Sequence, residues 1–367
     1  MRTESKHLVI AAAGTGGHVM PGLAVAAVMK ARGWRVSWVG TTTGMESALV
    51  AKRDIPFHGL NFQGIRGKGL LGAVKGVWKL FGAYRASRSL LKALQPDVIF
   101  STGGYVAVPV GFAGRHSQMP LVLMNCDADL LMSTKALLPY CDSLACGFAG
   151  GARTFAKEKG QTTGNPVRSD IVALEPPEKR MAGREGPLRL FVFGGSLGAQ
   201  VLNDMMPKVM AAIAPAQRPE IIHQTGKNRD VPVRQAYEQL GVKATVVPFI
   251  DDMAQRYRDC DAVICRAGAT SLSEICAAGV PSILVPLVLK TTSHQMGNAR
   301  YLADHQAAIL VPQPEFTVER MSAMIAGLTR EKLLELAKNA RAIAHPDAAE
   351  AVADLIEAAE KKKSSHQ

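Results

Sequence analysis

The sequence predicts two doubly wound α/β domains, each built on a parallel sheet, that face each other across a cleft. Short apolar runs alternate with helical patterns, which is typical of βα repetition. The alternation occurs twice along 367 residues, a length sufficient for two domains of ordinary size. Each series opens with a strand, a glycine-rich turn and a helix. Ligands of such sheets bind at the carboxyl ends of the strands.

The domain boundary is marked by a turn signal and a change in composition. An Asn-Pro pair lies within Thr162–Arg168, and a proline- and charge-rich loop, VALEPPEKRMAGREGP, follows it. We therefore place the first domain at residues 1–163 and the second at 164–345. The predicted strands are LVIAAA, WRVSWVG, PDVIFST and PLVLM in the first series, and LRLFVF, EIIHQTG, ATVVPFI, AVIC and PSILVP in the second.

The net positive charge indicates an anionic partner, and the distribution of basic residues along the chain indicates which kind of partner. The net charge is +12, but no carboxylate lies between Asp54 and Asp97. Apolar residues at 70, 74, 77, 78 and 81, with Trp78 and Phe81 among them, recur at helical spacing. A basic amphipathic helix with aromatic anchors favours an anionic membrane surface; the alternative is a core-facing helix with a solvated basic back. Nucleic acid is not expected, because no RNP, zinc-finger or helix-turn-helix signature occurs. The basic residues are Arg66, Lys68, Lys75, Lys79, Arg85, Arg88 and Lys92.

Cysteines and apolar runs indicate a protein of a reducing compartment that does not span a membrane. The six cysteines form no CxxC pair and are expected to be buried thiols. The apolar run near the N-terminus is too short for a signal peptide. The longest apolar stretch, Ile275–Leu289, is shorter than a membrane span and contains Pro281 and Pro286.

Two glycine turns in the first domain are candidate binding loops. Gly14, Gly16 and Gly17 allow the backbone to approach a ligand, and N–H groups of the following helix suit a phosphate. His18 beside them can accept a proton from a hydroxyl nucleophile. The alternative is a plain strand-to-helix turn with a capping histidine. A second turn, formed by Gly103 and Gly104 with Tyr105, can face the first across the same sheet edge, unless it is simple loop geometry.

The second domain carries segments that suit a nucleotide sugar. In GGSLGA the N–H groups and Ser196 fit a pyrophosphate, which Arg168 can neutralise; the alternative is a structural loop. In CRAGATSLSE a strand ends, Gly268 turns, and a helix opens whose N–H groups can take a diphosphate while Glu274 binds two ribose hydroxyls. The alternative is a solvated helix glutamate. Polar residues that suit sugar hydroxyls follow the next strand: His294, Gln295 and Asn298.

Two Asp-x-Asp triplets are weak candidates for a divalent metal on a nucleotide. They are Asp127-Ala-Asp129 and Asp259-Cys-Asp261. This spacing is common by chance, so we expect no metal site.

Eight motifs occur in order along the chain: AGTGGHVMPGLAVA, IRGKG, STGGYVAVP, GNPVR, GGSLGA, FIDDM, CRAGATSLSE and HQMGNA. Together they resemble the MurG family of bacterial peptidoglycan UDP-N-acetylglucosamine transferases (glycosyltransferase family 28) over nearly the whole chain. The resemblance implies a GT-B fold whose last helix, about 346–360, returns to the first domain. It implies inverting transfer of GlcNAc from UDP-GlcNAc to the muramyl 4-hydroxyl of undecaprenyl-pyrophosphoryl-MurNAc-pentapeptide (lipid I), giving lipid II. It places the protein peripherally on the cytoplasmic face of the inner membrane, without metal or cofactor.

The resemblance also implies residue roles. His18 is the catalytic candidate, and the turn with Gly14, together with Gly103, Gly104 and Tyr105, faces the acceptor pyrophosphate. The residues implied to bind UDP-GlcNAc are Thr15, Gly16, Gly17, Asp127, Arg168, Ser196, Ile250, Ala269, Thr270, Ser271, Leu272, Ser273, Glu274 and Gln295. Among these, Ile250 corresponds to the uracil contact and Gln295 to the GlcNAc contact.

One segment departs from the family pattern and leaves an alternative open. After the PLVL strand the family usually reads His-Glu-Gln-Asn, whereas this chain has Met124, Asn125, Cys126 and Asp127. An imidazole and a carboxylate expected to line the cleft are therefore replaced. The alternative to an active transferase is a UDP-sugar-binding, membrane-docked relative with weak or lost catalysis. A nicotinamide-dependent dehydrogenase is disfavoured by the spacing of both glycine loops.

Overall fold

The computed structural model describes residues 5–14, 16–62, 70–195, 198–288 and 294–365, and the side chains at 70–75 lie outside the description. The described chain forms two compact units. The first contains the residues up to Pro166 together with those from Asp347 onward, and the second contains Val167–Pro346.

The first unit is built on a seven-stranded parallel sheet, as the βα repetition predicts. Its strands β1, β4 and β5 are buried along their whole length, which is why they are continuous apolar runs. The strand order is β3-β2-β1-β4-β5-β6-β7. The strands are β1 His7–Ala12, β2 Arg35–Thr41, β3 Phe57–Leu60, β4 Val98–Gly103, β5 Leu121–Asn125, β6 Ser143–Cys146 and β7 Gly160–Thr162. The helices are α1 Gly16–Ala31, α2 Glu46–Ala51, α3 Leu70–Leu94, α4 Ala107–His116, α5 Met132–Leu137 and α6 Gly151–Ala156.

The second unit repeats this architecture with a six-stranded parallel sheet of order β10-β9-β8-β11-β12-β13. Its strands are β8 Arg189–Phe193, β9 Glu220–Gln224, β10 Thr245–Val247, β11 Ala262–Cys265, β12 Ser282–Leu284 and β13 Ile309–Leu310. Its helices are α7 Ser169–Val172, α8 Pro177–Met181, α9 Gln200–Ala212, α10 Asp230–Gln239, α11 Met253–Asp259, α12 Ala269–Ala278, α13 His294–Asp304, α14 Val318–Ala326 and α15 Arg330–Ala342. The predicted fold class is therefore confirmed for both units.

Each sheet contains one point at which the strand order reverses, and these points locate the candidate loops. In the first sheet β1 lies next to β4, and in the second β8 lies next to β11. Loops leave the carboxyl ends of such neighbouring strands in opposite directions, which opens a crevice for a ligand. The four loops at these two points contain the glycine motifs singled out from the sequence.

The last helix, α16 (Ala348–Ser364), packs on the first unit. Val352, Ala353 and Ile356 on one face are buried. On its other side, Arg32 Nη1 of α1 lies 2.7 Å from Asp354 Oδ1 and 3.1 Å from Glu357 Oε2. The chain thus crosses the second unit and then returns to the sheet on which it began.

Helix α3 buries Leu91 in the core of the first unit, but three of its large apolar side chains do not face that core. Val77 is 62% exposed, Trp78 69% and Phe81 49%. Lys79, Arg85 and Arg88 on the same helix are also exposed; part of the predicted basic segment, residues 63–69, lies outside the described residues. The core-facing alternative for this helix is therefore wrong for these three apolar residues.

The cysteines agree with the expectation from composition. All six cysteines are buried free thiols, and burial raises the pKa of each one. Within the described ranges, no helix combines the length and apolar character needed to cross a membrane.

Candidate active site

The two glycine turns of the first unit lie against each other. They follow the neighbouring strands β1 and β4, where Ala12 pairs with Gly103. Gly14, Gly103 and Gly104 have φ of +107°, +107° and +85°. A Cβ on Gly104 would lie 1.9 Å from the carbonyl oxygen of Ala13, so only glycine permits this approach. The sequence expectation that the turns face each other at one sheet edge is confirmed.

His18, in the first turn of α1, is held by the end of β4. Its Nδ1 lies 2.9 Å from the carbonyl oxygen of Thr102, and Thr102 Oγ1 donates to the carbonyl oxygen of His18 at 2.7 Å. A carbonyl oxygen can only accept, so Nδ1 carries the proton of the neutral imidazole and Nε2 carries the basic lone pair. This is the tautomer that a general base needs.

Other groups surround this imidazole. A Cβ on Gly103 would lie 3.2 Å from His18 Nδ1 and 3.8 Å from Ser133 Oγ, so Ser133 belongs to the same neighbourhood. Gly16 and Gly17 form the start of α1, which has no acidic side chain in its first turn. Tyr105 is 41% exposed beside the second turn, and Thr15 lies outside the described residues. Amides at a helix start suit an anionic group.

Three residues of the altered segment, Met124, Asn125 and Cys126, lie in the interior. Met124 and Asn125 are 1% and 0% exposed. Asn125 Nδ2 donates to the carbonyl oxygens of Asp127 and Asp129 at 2.7 and 3.0 Å, and its Oδ1 accepts from the Leu131 N–H at 3.0 Å. Met124 and Asn125 are therefore interior residues at the carboxyl end of β5. Asp127 remains partly exposed.

In the second unit, the loops after β8 and β11 form the matching site. A Cβ on Gly198 would lie 1.9 Å from the carbonyl oxygen of Thr225, which makes the first loop dependent on glycine. Helix α12 begins at Ala269 after Gly268, which has no side chain to cap the first amides. Thr270 Oγ1 is buried and has no hydrogen-bond partner within the described part of the chain. These donors are arranged for an anionic ligand; Ser196 lies outside the described residues.

Some side chains of α12 are buried in the core of the second unit, and others lie at the loops of the candidate site. Leu272 is 0% exposed, and Ser273 Oγ donates to the carbonyl oxygen of Ala269 at 3.0 Å. The Leu272 N–H also donates within the helix, to the Gly268 carbonyl oxygen at 3.0 Å, so the free amides of α12 precede these two residues. Ser271 is partly exposed at the helix start.

Glu274 is not a solvated helix residue. One carboxylate oxygen accepts from Arg168 Nε at 3.1 Å and the other from the Tyr257 hydroxyl at 3.3 Å. Burial raises the pKa of the Glu274 carboxyl above its ordinary value, while the guanidinium of Arg168 opposes the rise. The structure thus brings together two of the residues predicted for the nucleotide, Arg168 and Glu274.

Residues 8–146 match the model of the glycosyltransferase family 28 N-terminal domain, and residues 189–358 match that of its C-terminal domain. This chain belongs to glycosyltransferase family 28.

Relatives of this family 28 chain are similar over nearly their whole length. Two of them, from Chromobacterium violaceum and Methylibium petroleiphilum, are named UDP-N-acetylglucosamine–N-acetylmuramyl-(pentapeptide) pyrophosphoryl-undecaprenol N-acetylglucosamine transferase. The first is 49% identical over 355 residues, covering 96% of this chain and 98% of the relative. The second is 50% identical over 358 residues, covering 96% and 97%.

Solved structures agree with the two-domain GT-B fold. The crystal structure of Acinetobacter baumannii MurG superposes with a TM-score of 0.82 at 33% identity, covering 96% of this chain and 99% of that one. The glycosyltransferase of kitacinnamycin superposes with a TM-score of 0.68 at 17% identity, which is a likeness of fold alone.

In this family 28 member, the side-chain oxygen of Gln295 already accepts hydrogen bonds from the backbone. Its Oε1 accepts from the Leu287 N–H at 2.8 Å and the Ala267 N–H at 3.3 Å, and Asn298 Nδ2 donates to the Ala267 carbonyl oxygen at 3.1 Å. Because Oε1 is used in this way, a sugar contact by Gln295 must come from its NH₂ group. Ile250 is partly exposed between β10 and α11.

One Asp-x-Asp triplet lies away from these loops. Asp261 is fully buried at the amino end of β11, with Oδ1 2.8 Å from Arg184 Nη1 and Oδ2 3.2 Å from Arg330 Nη2. It therefore neutralises arginines at the edge of the sheet opposite to the loops.

Sequence reasoning missed three residues that shape the site. Thr102 fixes the imidazole of His18, Tyr257 contacts Glu274, and Asn125 organises the segment that carries Asp127. Thr102 lies within a quoted motif, STGGYVAVP, but its role depends on a carbonyl group that every residue has. Tyr257 lies in a helix whose sequence carries no signal of this contact.

Proposed function

We propose that this glycosyltransferase moves GlcNAc from UDP-GlcNAc to the 4-hydroxyl of MurNAc in undecaprenyl-pyrophosphoryl-MurNAc-pentapeptide, giving lipid II. The full-length similarity to relatives named for this transfer supports the substrates. The observation that carries the proposal is the hydrogen bond from His18 Nδ1 to the Thr102 carbonyl oxygen, because it makes Nε2 the basic nitrogen beside two glycine turns.

The proposed chemistry assigns the two units different tasks. His18 Nε2 accepts the proton of the acceptor hydroxyl while the hydroxyl oxygen forms a bond to the anomeric carbon of GlcNAc. The bond from that carbon to the diphosphate oxygen breaks, its electron pair leaves with UDP, and the anomeric configuration inverts. The first amides of α12 and the guanidinium of Arg168, both in the second unit, stabilise the charge that develops on UDP.

The test of the base is His18→Ala. A general base contributes about 10²- to 10⁴-fold, so we expect kcat to fall at least about 10²-fold while UDP affinity stays nearly unchanged. The assay is transfer of radiolabelled GlcNAc to lipid I, with UDP affinity from calorimetry. His305→Ala is the matched control, since His305 Nδ1 also contacts a carbonyl oxygen, that of Tyr301 at 2.7 Å. Wild-type turnover in His18→Ala would remove His18 as the base, and Asp127→Ala would be assayed next.

The altered segment bears on the alternative of a binding protein with weak catalysis. That alternative depends on the loss of an imidazole and a carboxylate from the ligand-facing surface. Met124 and Asn125 are interior positions, and Asn125 makes three hydrogen bonds to nearby backbone. In this chain the replacement therefore concerns interior side chains at the end of β5. Measured turnover of lipid I decides between the two, since both predict binding of UDP-GlcNAc.

We also propose that α3 docks the enzyme on the anionic cytoplasmic face of the inner membrane. Trp78, Phe81 and Arg85 follow at spacings of three and four residues, which places them on one face of the helix. Trp78 and Phe81 contact edge to face with ring centroids 6.4 Å apart. Aromatic rings among basic side chains match an interface between headgroups and acyl chains.

Cosedimentation with anionic vesicles tests the docking. Each basic residue near the surface contributes about 1 kcal/mol at low salt, so binding should weaken as salt rises. The double variant Trp78→Ser, Phe81→Ser should lose most of the binding. The matched control is Val231→Ser, Leu240→Ser, which removes two exposed apolar side chains from the second unit. Binding that is insensitive to both salt and the α3 variant would contradict the proposal.

A further inference from the structure

The hydroxyl of Tyr257 contributes a buried hydrogen bond to the candidate nucleotide site. Tyr257 lies in α11 and is 0% exposed. Its ring contacts Phe191 and Phe193 of β8 edge to face, with centroids 6.3 Å apart in each case. Those two rings stack on each other at 4.8 Å. The tyrosine ring is therefore fixed by the core of the second unit.

The backbone of Tyr257 is fixed as well. Arg180 Nη1 donates to its carbonyl oxygen at 2.8 Å. Arg184 Nη1 donates to the carbonyl oxygen of Cys260 at 2.7 Å, just after the end of α11. Arginine donors at the carboxyl end of a helix satisfy carbonyl groups that lack partners within the helix. Ring and backbone together leave the hydroxyl little freedom, and it lies 3.3 Å from Glu274 Oε2.

The two partners of Glu274 differ in rigidity. The Arg168 side chain is 35% exposed, and the Glu274 side chain is 12% exposed. Without the tyrosine hydroxyl, a carboxylate beside a guanidinium is free to turn and present both oxygens to it, since arginine binds carboxylates in a bidentate manner. With the hydroxyl in place, one oxygen stays on each partner. Each oxygen has two lone-pair directions and so keeps one acceptor site for a ligand hydroxyl.

We propose that Tyr257 is a positioning residue that orients the Glu274 carboxylate toward both ribose hydroxyls and so makes the site selective for ribonucleotides over 2′-deoxyribonucleotides. This inference rests on the proposed function, because it assumes that Glu274 receives the ribose of UDP. The selectivity arises because a 2′-deoxyribose would leave an acceptor of a buried carboxylate without its hydroxyl. Sites built to bind a hydroxyl reject analogues that lack it far more strongly than sites built on apolar contacts.

Calorimetry with UDP and 2′-deoxy-UDP on the full chain tests the inference. We expect the wild-type protein to prefer UDP by about 10- to 100-fold, the range for one hydrogen bond to a charged group. Tyr257→Phe keeps the ring and its contacts but removes the hydroxyl. In this variant the preference should fall to about threefold or less, through weaker binding of UDP, while the affinity for 2′-deoxy-UDP stays within about twofold of wild type. A general loss of structure would instead weaken both ligands.

Tyr237→Phe is the matched control. Tyr237 is also a buried tyrosine of the second unit, but its hydroxyl lies 3.0 Å from His223 Nδ1 instead of Glu274. We expect it to keep the wild-type preference. A Tyr257→Phe protein that also keeps the wild-type preference would overturn this inference alone. A wild-type protein that binds neither nucleotide would overturn the proposed function and this inference with it.

Discussion

At the scale of single residues, some buried polar groups of the second unit belong to the candidate site, and others lie in the core away from it. Glu274 has two partners at the loops that follow the strands. His223, in β9, is 0% exposed, and its Nδ1 lies 3.0 Å from the Tyr237 hydroxyl. Its Nε2 is buried without a hydrogen-bond partner among the described residues. The partner of His223, Tyr237, is not among the residues predicted to bind a ligand. We therefore expect His223 to affect the stability of the second unit.

His223 should make the second unit sensitive to acid. Burial lowers its pKa from 6.5 to about 3. The unfolded chain therefore takes up a proton as the pH falls below about 6.5, whereas the folded unit resists protonation until about pH 3. Stability should be lost across that window, by up to about 5 kcal/mol at 1.36 kcal/mol per pH unit. The measurement is the urea midpoint of unfolding as a function of pH.

The variant for this measurement is His223→Phe combined with Tyr237→Phe. It replaces both polar partners by apolar rings, which is often nearly neutral near pH 7. Its midpoint should fall less steeply than that of wild type between about pH 6.5 and 3, because other titrating groups are unchanged. Parallel curves would show that His223 does not carry the acid sensitivity.

At the scale of elements, the glycine turns and the helix ends determine where the site residues lie. Arg180 donates to the carbonyl oxygens of Ala278 and Gly279 at the end of α12, at 2.5 and 2.8 Å. The same guanidinium reaches the Tyr257 carbonyl oxygen in α11. One arginine thus ties together the two helices that carry Glu274 and its tyrosine partner.

The turn after β4 should tolerate no side chain at Gly104. Gly104→Ala places a Cβ 1.9 Å from the Ala13 carbonyl oxygen, so the two turns must separate and shift the support of His18. We expect kcat to fall about tenfold or more. Gly33→Ala is the control, because Gly33 has a similar φ of +83° but open space around a Cβ. It should cost only about 1–2 kcal/mol of backbone strain and leave kcat unchanged. Equal effects of the two variants on kcat would contradict this account.

At the scale of the whole molecule, the chain closes its first unit with its last helix. The stability of that unit therefore depends on residues more than 300 positions away from α1, such as Asp354, which pairs with Arg32. A protein truncated before Ala348 would expose the surface that Val352 and Ile356 cover.

Ile356→Ala should destabilise the first unit and spare the second. Ile356 is 0% exposed, and removal of such a side chain costs about 2–5 kcal/mol. Hydrogen exchange followed by mass spectrometry should show lower protection in β1 and β4 with unchanged protection in β8 and β11. Leu355→Ala is the control, since Leu355 on the same helix is only partly buried and should have a smaller effect. A uniform loss of protection in both sheets would show that the units unfold together.

The sequence by itself determined the βα repetition, the two glycine-opened series and the amphipathic pattern of α3, while the exposure of its aromatic face was left open. These features are local, because a strand, a glycine turn and an amphipathic helix each follow from residues within a few positions of one another. For the same reason the sequence indicated His18, Arg168 and Glu274 as candidates: each follows a turn at the carboxyl end of a strand or opens a helix.

Only the tertiary structure decided which groups these candidates meet. Thr102 is 84 positions from His18, and Arg168 is 106 positions from Glu274. Such pairs are set by the order of strands in the sheet, which places β4 beside β1. No local sequence pattern records that order. The same order turns Met124 and Asn125 into the interior and places Asp261 at the edge of the sheet opposite to the loops. Partners across a sheet depend on the packing of the whole unit, so they were beyond the reach of sequence patterns.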